Sequence, residues 1–259
     1  MRTKTPLQGK TPFALDPNPM EGLLTARAGL CAFSRAFRSL GGPALCDGHV
    51  RVKERDRGFT AGQQVESLVL LHAAGGDCMQ DIESLRQDSG VTKMLGYAVP
   101  SQRCVADFLE AFHDPLKVGQ ARAQALGQER LSFIPEETDA LLGLGLAARG
   151  VVLAAAGLSG QPQTRATVDQ DATIIESHKR EAQWTYEGTR GYQPMVAVWA
   201  ETGLVLADEF RDGNVPALSS PVTCAQAAFA ALPGTVTGYY FRGDSACHES
   251  GLLNWLRNP

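Results

Sequence analysis

Three aspartates occupy positions at which predicted β-strands can present carboxylates for metal chemistry. Asp169 and Asp171 lie two residues apart in the alternating run Thr167–Thr173, so both side chains point to the same face of a predicted strand. Asp244 follows Gly243 at the point where another predicted strand passes into a helix. Carboxylate oxygens that converge in this way suit Mg²⁺ or Mn²⁺.

Spacing alone leaves other roles open for these acids. Aspartates near strand ends more often cap a helix or face solvent than hold a metal ion. For Asp169 a turn or hydrogen-bonding role is the better interpretation. If Asp171 and Asp244 face one another, two cations roughly 3.5–4 Å apart could activate the attacking oxygen and stabilise the leaving oxygen of a phosphodiester.

The elements that must position these acids follow a change of sequence pattern near residue 163. Alternating, β-branched runs predict four strands, at 166–176, 195–200, 203–211 and 236–242. Glu201–Gly203 is predicted to be a tight hairpin turn, and helices are predicted at 216–232 and 247–256. This order predicts a mixed sheet flanked by helices, the opening of an RNase H-like fold, although other α/β folds can begin in the same way.

The sequence before residue 163 predicts helices. Thr60 and Gln63 have the spacing of a capping box ahead of an amphipathic run. Further helices are predicted near 81–86, after Ser101 and from about Glu136. We therefore divide the chain into an extended, Pro-rich arm over residues 1–20, a helical, DNA-binding region over 21–157 and an RNase H-like catalytic domain over 164–259.

Charge is distributed unevenly in a chain whose net charge is −4. Residues 1–60 contain ten Lys or Arg against five Asp or Glu, and residues 131–259 contain eight against fourteen. A basic front suits contact with a polyanion and an acidic back suits metal binding, although two solvated faces would give the same pattern.

Cysteine spacing and hydropathy indicate the compartment. The six cysteines include no C-x-x-C pair, and the start of the chain is polar and Pro-rich. The most apolar stretch, 141–157, is interrupted by Arg149 and several glycines. We expect reduced thiols, no structural zinc, no membrane segment and a cytoplasmic protein.

Short motifs follow one another in a fixed order along most of the chain. They are A-G-G-D at 74–77, D-I-E-S-L-R at 81–86, M-L-G at 94–96, D-x-D-A-T at 169–173, E-S-H-K-R-E-A at 176–182, Y-E-G-T-R-G-Y-Q-P at 186–194, A-E-T-G at 200–203, R-D-G-N at 211–214 and R-G-D-S at 242–245. In this series the chain resembles the DDE insertion-sequence transposases of the cut-and-paste branch, from about residue 60 onward.

The resemblance implies roles for particular residues of an RNase H-like catalytic domain. Asp171, with Thr173 two residues on, matches the first catalytic Asp of the family, and Asp244 matches the second. These two side chains would hold Mg²⁺ or Mn²⁺.

Other residues of the motifs have two readings each. Arg190 and Tyr192 match a family segment that either lies near the DNA or forms a structural hairpin. Lys179 and Arg180 are either phosphate contacts or solvated surface residues. His178 matches a family position whose role does not follow from the sequence.

The family completes its site with a Glu on a late helix, whereas only fifteen residues follow Asp244 here. Glu249, the one acid among them, is expected to be an exposed side chain rather than a third ligand. We therefore expect a C-terminally truncated transposase fragment that binds metal weakly and is inactive alone.

Partners and location follow from the same resemblance. The complete relative would cut transposon-end DNA and join it to target DNA, associated with the nucleoid and able to pair as a homodimer in the DNA complex. The alternative is a non-catalytic DNA-binding or inhibitory transposase remnant.

Overall fold

The computed structural model describes residues 25–52, 57–158, 160 and 162–257, so the predicted arm over residues 1–20 lies outside the described residues. The chain is mixed α/β, as predicted, and divides into two compact units. The first unit contains Met1–His113 and Thr138–Val151, and the second contains Asp114–Glu137 and Val152–Pro259, each as far as it is described. Residues 114–137 therefore belong to the same unit as the predicted catalytic domain.

Most of the first unit is helical. Its helices are α1 (Leu30–Ser39), α2 (Gly42–His49), α3 (Ala61–Ala73), α4 (Ile82–Arg86), α5 (Ser89–Leu95) and α6 (Gln102–Glu110). Helix α3 begins at the predicted capping box, in which the Thr60 hydroxyl accepts the Gln63 N–H (3.2 Å) and Gln63 Oε1 accepts the Thr60 N–H (3.0 Å). Helix α6 buries Val105 and Phe108, whereas the next residue, Leu109, is 43% exposed.

A buried carboxylate joins the helices of this unit. Glu66 accepts hydrogen bonds from both Nε and Nη2 of Arg38 (2.7 and 2.9 Å), from the Ser34 hydroxyl (2.7 Å) and from the Tyr97 hydroxyl (3.0 Å). The hydrogen bond to Glu66 raises the pKa of Arg38. Arg38 thus supplies the opposite charge to the buried Glu66 carboxylate, although its own side chain is partly exposed.

Two longer helices follow, α7 (Pro115–Gly127) and α8 (Asp139–Gly157). Among the described residues, α8 is the one helix long and apolar enough to cross a membrane by length and composition, with a mean hydropathy of 1.8 over its most apolar window. The core helix of a globular protein meets the same criteria. A Cβ at Gly143 would lie 2.2 Å from the His49 carbonyl oxygen, so α8 packs directly on the end of α2.

The described part of the second unit continues with seven strands and two α-helices. They are β1 (Arg165–Ala172), β2 (Ile175–Glu176), β3 (Gln183–Trp184), β4 (Arg190–Tyr192), β5 (Met195–Trp199), β6 (Leu204–Glu209), α9 (Pro221–Ala231), β7 (Gly238–Gly243) and α10 (Ser250–Arg257). Four strands form one sheet in the order β6-β5-β1-β7, in which β1 is parallel to β7 and the other pairs are antiparallel. A small antiparallel sheet has the order β2-β4-β3.

The two faces of the four-stranded sheet differ in burial. Ala166, Val168 and Gln170 of β1 are buried on one face, together with Trp199 of β5 and the apolar side of α9. The alternate residues Thr167, Asp169 and Asp171 lie on the other, open face. Packing of the core against the buried face therefore fixes β1, and the carboxylates of Asp169 and Asp171 on the open face stay accessible.

The first strand is shorter than predicted. It ends at Ala172, and Ile175–Glu176 instead pair with β4 in the small sheet. The backbones approach closely there, because a Cβ at Gly191 would lie 2.2 Å from the Ile175 carbonyl oxygen. This contact admits only a glycine at position 191 and holds the small sheet beside the end of β1.

Candidate functional site

Asp171 and Asp244 follow neighbouring residues of two parallel strands. Gln170 of β1 is paired with Gly243 of β7, so the next residue of each strand is an aspartate. Adjacent strands lie roughly 4.8 Å apart. Both aspartates are exposed, and both line an open cleft of about 600 Å³ whose floor includes Val196 and Val198 of β5.

A second cleft, of about 630 Å³, adjoins the same two carboxylates. Its wall is built by the hairpin of the small sheet and by the loop after Arg211. The residues that line it are Asp171, Ala172, Trp184, Thr185, Tyr186, Gln193, Gly213, Asn214, Val215, Pro216, Ala217, Leu218 and Asp244. The two aspartates therefore lie where the clefts meet.

Local hydrogen bonds orient both carboxylates. Asp171 Oδ1 accepts a hydrogen bond from the backbone N–H of Ala172 (2.8 Å). Asp244 Oδ1 accepts one from the backbone N–H of Cys247 (3.3 Å), in the 3₁₀ turn Ser245–Cys247. Burial raises the pKa of the Cys247 thiol, and the charges of Asp244 and Asp171 raise it further. One thiol thus experiences the negative charge of both acids, in agreement with their closeness.

Asp169 has the hydrogen-bonding role that was the better interpretation of the sequence. Arg242 on β7 donates to it from Nε (2.9 Å) and Nη2 (2.6 Å), in a bidentate pair across the two parallel strands. These hydrogen bonds lower the pKa of Asp169. The pair forms one end of the first cleft, so it joins β1 to β7 beside the two exposed acids.

Removal of the Arg242 guanidinium is expected to return the pKa of Asp169 toward its ordinary value. Because pairing depresses the pKa in the folded state, the pair stabilises the fold above the unfolded-state pKa of roughly 3.9, and the contribution is lost as the pH falls through the folded-state value. Carboxyl NMR titration of Arg242→Ala against the wild type measures the change. Arg180→Ala is the control, and an equal shift in both variants would contradict the assignment.

The donor set fits a cation that keeps part of its own water. Among the residues that the structure describes, no group of three or more His, Cys, Asp or Glu is arranged to hold a metal ion. Two carboxylates from separate strands nevertheless suit Mg²⁺ or Mn²⁺, which bind through one or two carboxylates together with water and substrate phosphate.

Glu249 is not a third ligand in this arrangement. Its Oε1 accepts the Gly251 amide (2.8 Å) and its Oε2 accepts the Leu252 amide (2.9 Å), so it caps α10. These hydrogen bonds lower its pKa. The side chain is partly exposed and stabilises the helix.

Arg190 has a structural role in the hairpin of the small sheet. Its guanidinium donates to the carbonyl oxygens of Ala182 (3.0 and 2.8 Å) and Arg180 (2.6 Å). Tyr192 is half-buried and packs against Phe210, with ring centroids 4.9 Å apart. Both side chains therefore hold the segment in place, which agrees with the hairpin interpretation of these positions.

Lys179 and Arg180 are fully exposed, in the loop between β2 and β3. Arg180 lies 3.4 Å from Glu181, and neither cation lines the clefts beside Asp171 and Asp244. His178 is exposed in the same loop. Contact of this loop with phosphate stays a prediction.

Three residues at or near the site were not selected from the sequence. Trp184 and Tyr186 line the second cleft; Tyr186 begins the motif at 186–194, but neither ring falls in a periodic pattern that indicates its role. Arg211 is fully buried, where it pairs with Glu209 and donates to the Ala217 carbonyl oxygen. A buried arginine cannot be distinguished from a surface one in a polar R-D-G-N motif.

Comparison of the chain with protein-family models, with curated proteins and with solved structures gives no match.

Proposed function

We propose that the chain carries the catalytic region of a DDE-type DNA transposase, with an RNase H-like fold. The observation that carries the proposal is the position of Asp171 and Asp244, on neighbouring parallel strands and at the meeting point of two open clefts. The motif series in which both aspartates occur supports the same function.

The strand order supports the RNase H-like assignment. Three consecutive strands of the larger sheet, β1, β5 and β6, are antiparallel, and β7 returns through α9 to lie parallel to β1 on its other side. An RNase H-like sheet begins in this way, and its first two acids would lie on or directly after these two strands, β1 and β7. Neighbouring parallel strands present their ends at the same edge of the sheet, which brings the acids together.

The proposed reaction is hydrolysis of a phosphodiester at a transposon end, followed by attack of the freed 3′-hydroxyl on target DNA. Asp171 and Asp244 would hold Mg²⁺ or Mn²⁺, which supplies charge stabilisation for the attacking and leaving oxygens. The chain's own contribution is orientation. The Asp169–Arg242 pair and the Cys247 amide fix the backbone and side chains that present the two carboxylates.

A non-catalytic DNA-binding or inhibitory protein is the second candidate. It is favoured by one observation: within the described part of the chain, no third carboxylate joins Asp171 and Asp244, and Glu249 is engaged in capping α10. Such a protein would bind DNA through phosphates, with an affinity that falls steeply as salt increases.

Supercoiled plasmid DNA separates the two candidates. The chain is incubated with the plasmid in Mn²⁺ or in EDTA, and nicking is measured on gels beside a mobility-shift assay. Nicking that requires Mn²⁺ and disappears in Asp171→Asn, but not in the surface control Asp107→Asn, supports the transposase. Because a fragment without the third acid is expected to be inactive alone, DNA binding without nicking supports the second candidate only when Asp171→Asn also leaves Mn²⁺ binding unchanged. Absence of both DNA binding and nicking contradicts each candidate.

A further inference from the structure

Two large aromatic side chains stand exposed beside the acids. Trp184 is 65% exposed and Tyr186 is 78% exposed, and both line the cleft that also contains Asp171 and Asp244. Indole and phenol rings are more usually buried against other apolar groups. Exposed rings in a cleft with charged neighbours mark a place where a ligand with a flat face can bind.

The hairpin that carries these rings is held by hydrogen bonds. Trp184 lies on β3 opposite Arg190, whose guanidinium bonds the carbonyl oxygens before that strand. Thr185 donates its amide (2.8 Å) and its hydroxyl (3.0 Å) to the Thr189 carbonyl oxygen, which closes the turn around Tyr186. The rings are therefore presented by an ordered scaffold, which reduces the entropy lost when a ligand binds.

The remaining wall of the cleft suits an apolar, planar group better than a sugar. Val215, Pro216, Ala217 and Leu218 supply an apolar stretch. Two of its polar neighbours are already engaged, since the Thr185 hydroxyl donates to the Thr189 carbonyl oxygen and the Asn214 side-chain amide donates to the Leu131 carbonyl oxygen (3.2 Å). A carbohydrate needs many hydrogen bonds to its hydroxyl groups, whereas the face of a nucleobase needs none.

We propose that Trp184 and Tyr186 form a stacking platform for unpaired nucleobases, next to the position at which a DNA phosphate reaches Asp171 and Asp244. This inference rests on the proposed function, because a strand whose phosphate reaches the two carboxylates places its neighbouring bases in the adjoining cleft. Stacking on an aromatic ring is tolerant of sequence, since every base has a π-face. The platform would therefore hold the strand without selecting a particular base.

Affinity for a single-stranded oligonucleotide tests the platform. A fluorescein-labelled 15-mer of mixed sequence is titrated with the full chain in EDTA, and binding is followed by anisotropy. Trp184→Ala and Tyr186→Ala should each weaken binding by roughly five- to 100-fold, the range measured for loss of one stacking ring. Trp184→Phe keeps a ring and should retain most of the affinity.

Tyr239→Ala is the matched control. Tyr239 is similarly exposed, but it packs against Phe229 on the opposite face of the sheet and lines neither cleft. Its replacement should leave the affinity unchanged. Circular dichroism of every variant identifies any loss of affinity that comes from unfolding.

The outcomes distinguish the platform from the transposase assignment, because the stacking of bases on Trp184 and Tyr186 requires no metal ion. Unchanged affinity in Trp184→Ala overturns the platform, even where Mn²⁺-dependent nicking is found. Reduced affinity in Trp184→Ala, together with full Mn²⁺ binding by both Asp171→Asn and Asp244→Asn, supports the platform while the proposed function fails. An equal loss of affinity for a blunt duplex in Trp184→Ala and Tyr186→Ala, or tighter binding of cellohexaose than of the oligonucleotide by the wild type, also overturns it.

Discussion

Replacement of Asp171 or Asp244 by Asn is expected to weaken Mn²⁺ binding by at least about 10- to 100-fold. Changes in groups that merely orient a metal ligand typically cost that much, and a direct ligand should cost no less. Asn preserves the shape of the side chain but removes the charge that attracts the cation. Because both acids line the same clefts, each single variant should lose most of the binding.

Electron paramagnetic resonance of free Mn²⁺ measures this binding directly, with or without DNA. The Asp107→Asn variant supplies the control, since Asp107 is an exposed carboxylate of α6 that pairs with Arg103 at 2.8 Å and is remote in sequence from the site. Full Mn²⁺ binding by both Asp171→Asn and Asp244→Asn would show that the acids are not ligands. The proposed function would then lose its central observation.

The largest effect on stability is expected for Trp199→Ala. Trp199, the last residue of β5, is completely buried in the core between the sheet and α9. Its indole N–H donates to the Arg165 carbonyl oxygen (3.3 Å). Removing a buried aromatic side chain of this kind costs about 3–5 kcal/mol of unfolding free energy, from lost burial and from the cavity left behind. The loss should fall on the unit that contains the sheet.

Urea denaturation followed by circular dichroism measures this loss. Trp184→Ala is the informative comparison, because the same residue type is removed from an exposed position and should change the unfolding free energy by no more than about 0.5 kcal/mol. A similar cost at both positions would mean that the burial of Trp199 has been misplaced. Trp199→Phe should lie between the two, since it leaves part of the ring.

The sheet that carries the acids was largely predictable, for a physical reason. Burial alternates along β1 and β5, which are eight and five residues long, because one face of each strand lies in the core. The hairpin turn at Glu201–Gly203 has the expected position between β5 and β6. Which strands are neighbours was not predictable in the same way. The sequence left open whether Asp171 and Asp244 face one another, and the parallel pairing of β1 with β7 is seen only in the structure.

The small sheet escaped prediction because its strands are too short for any period to appear. Its central strand has three residues and each partner has two, and their pairing depends on the close approach at Gly191. Helix α7 was missed for a different reason. A proline can end a helix as well as begin one, and here Asp114 accepts the Leu116 amide (2.9 Å) while Pro115 is the first residue of α7.

The site was predictable only as far as residue type determines role. Asp171 and Asp244 could be selected before their positions were known because each lies near the end of a predicted strand and matches a motif of the family that the chain resembles. The partner of Asp169 depends on the register between β1 and β7, which places Arg242 directly opposite it. The exposure of Trp184 depends on how the small sheet is built, and local sequence does not encode it.

Because burial alternates along β1, its aspartates help to specify the register of this strand during folding. If β1 slid by one residue against β5 and β7, Asp169 and Asp171 would enter the apolar interior while Val168 faced water. Transfer of an ionised carboxylate into such an interior costs several kcal/mol. The negative charges of Asp169 and Asp171 therefore destabilise a shifted register. A variant in which both aspartates are replaced by neutral residues should populate shifted pairings more readily.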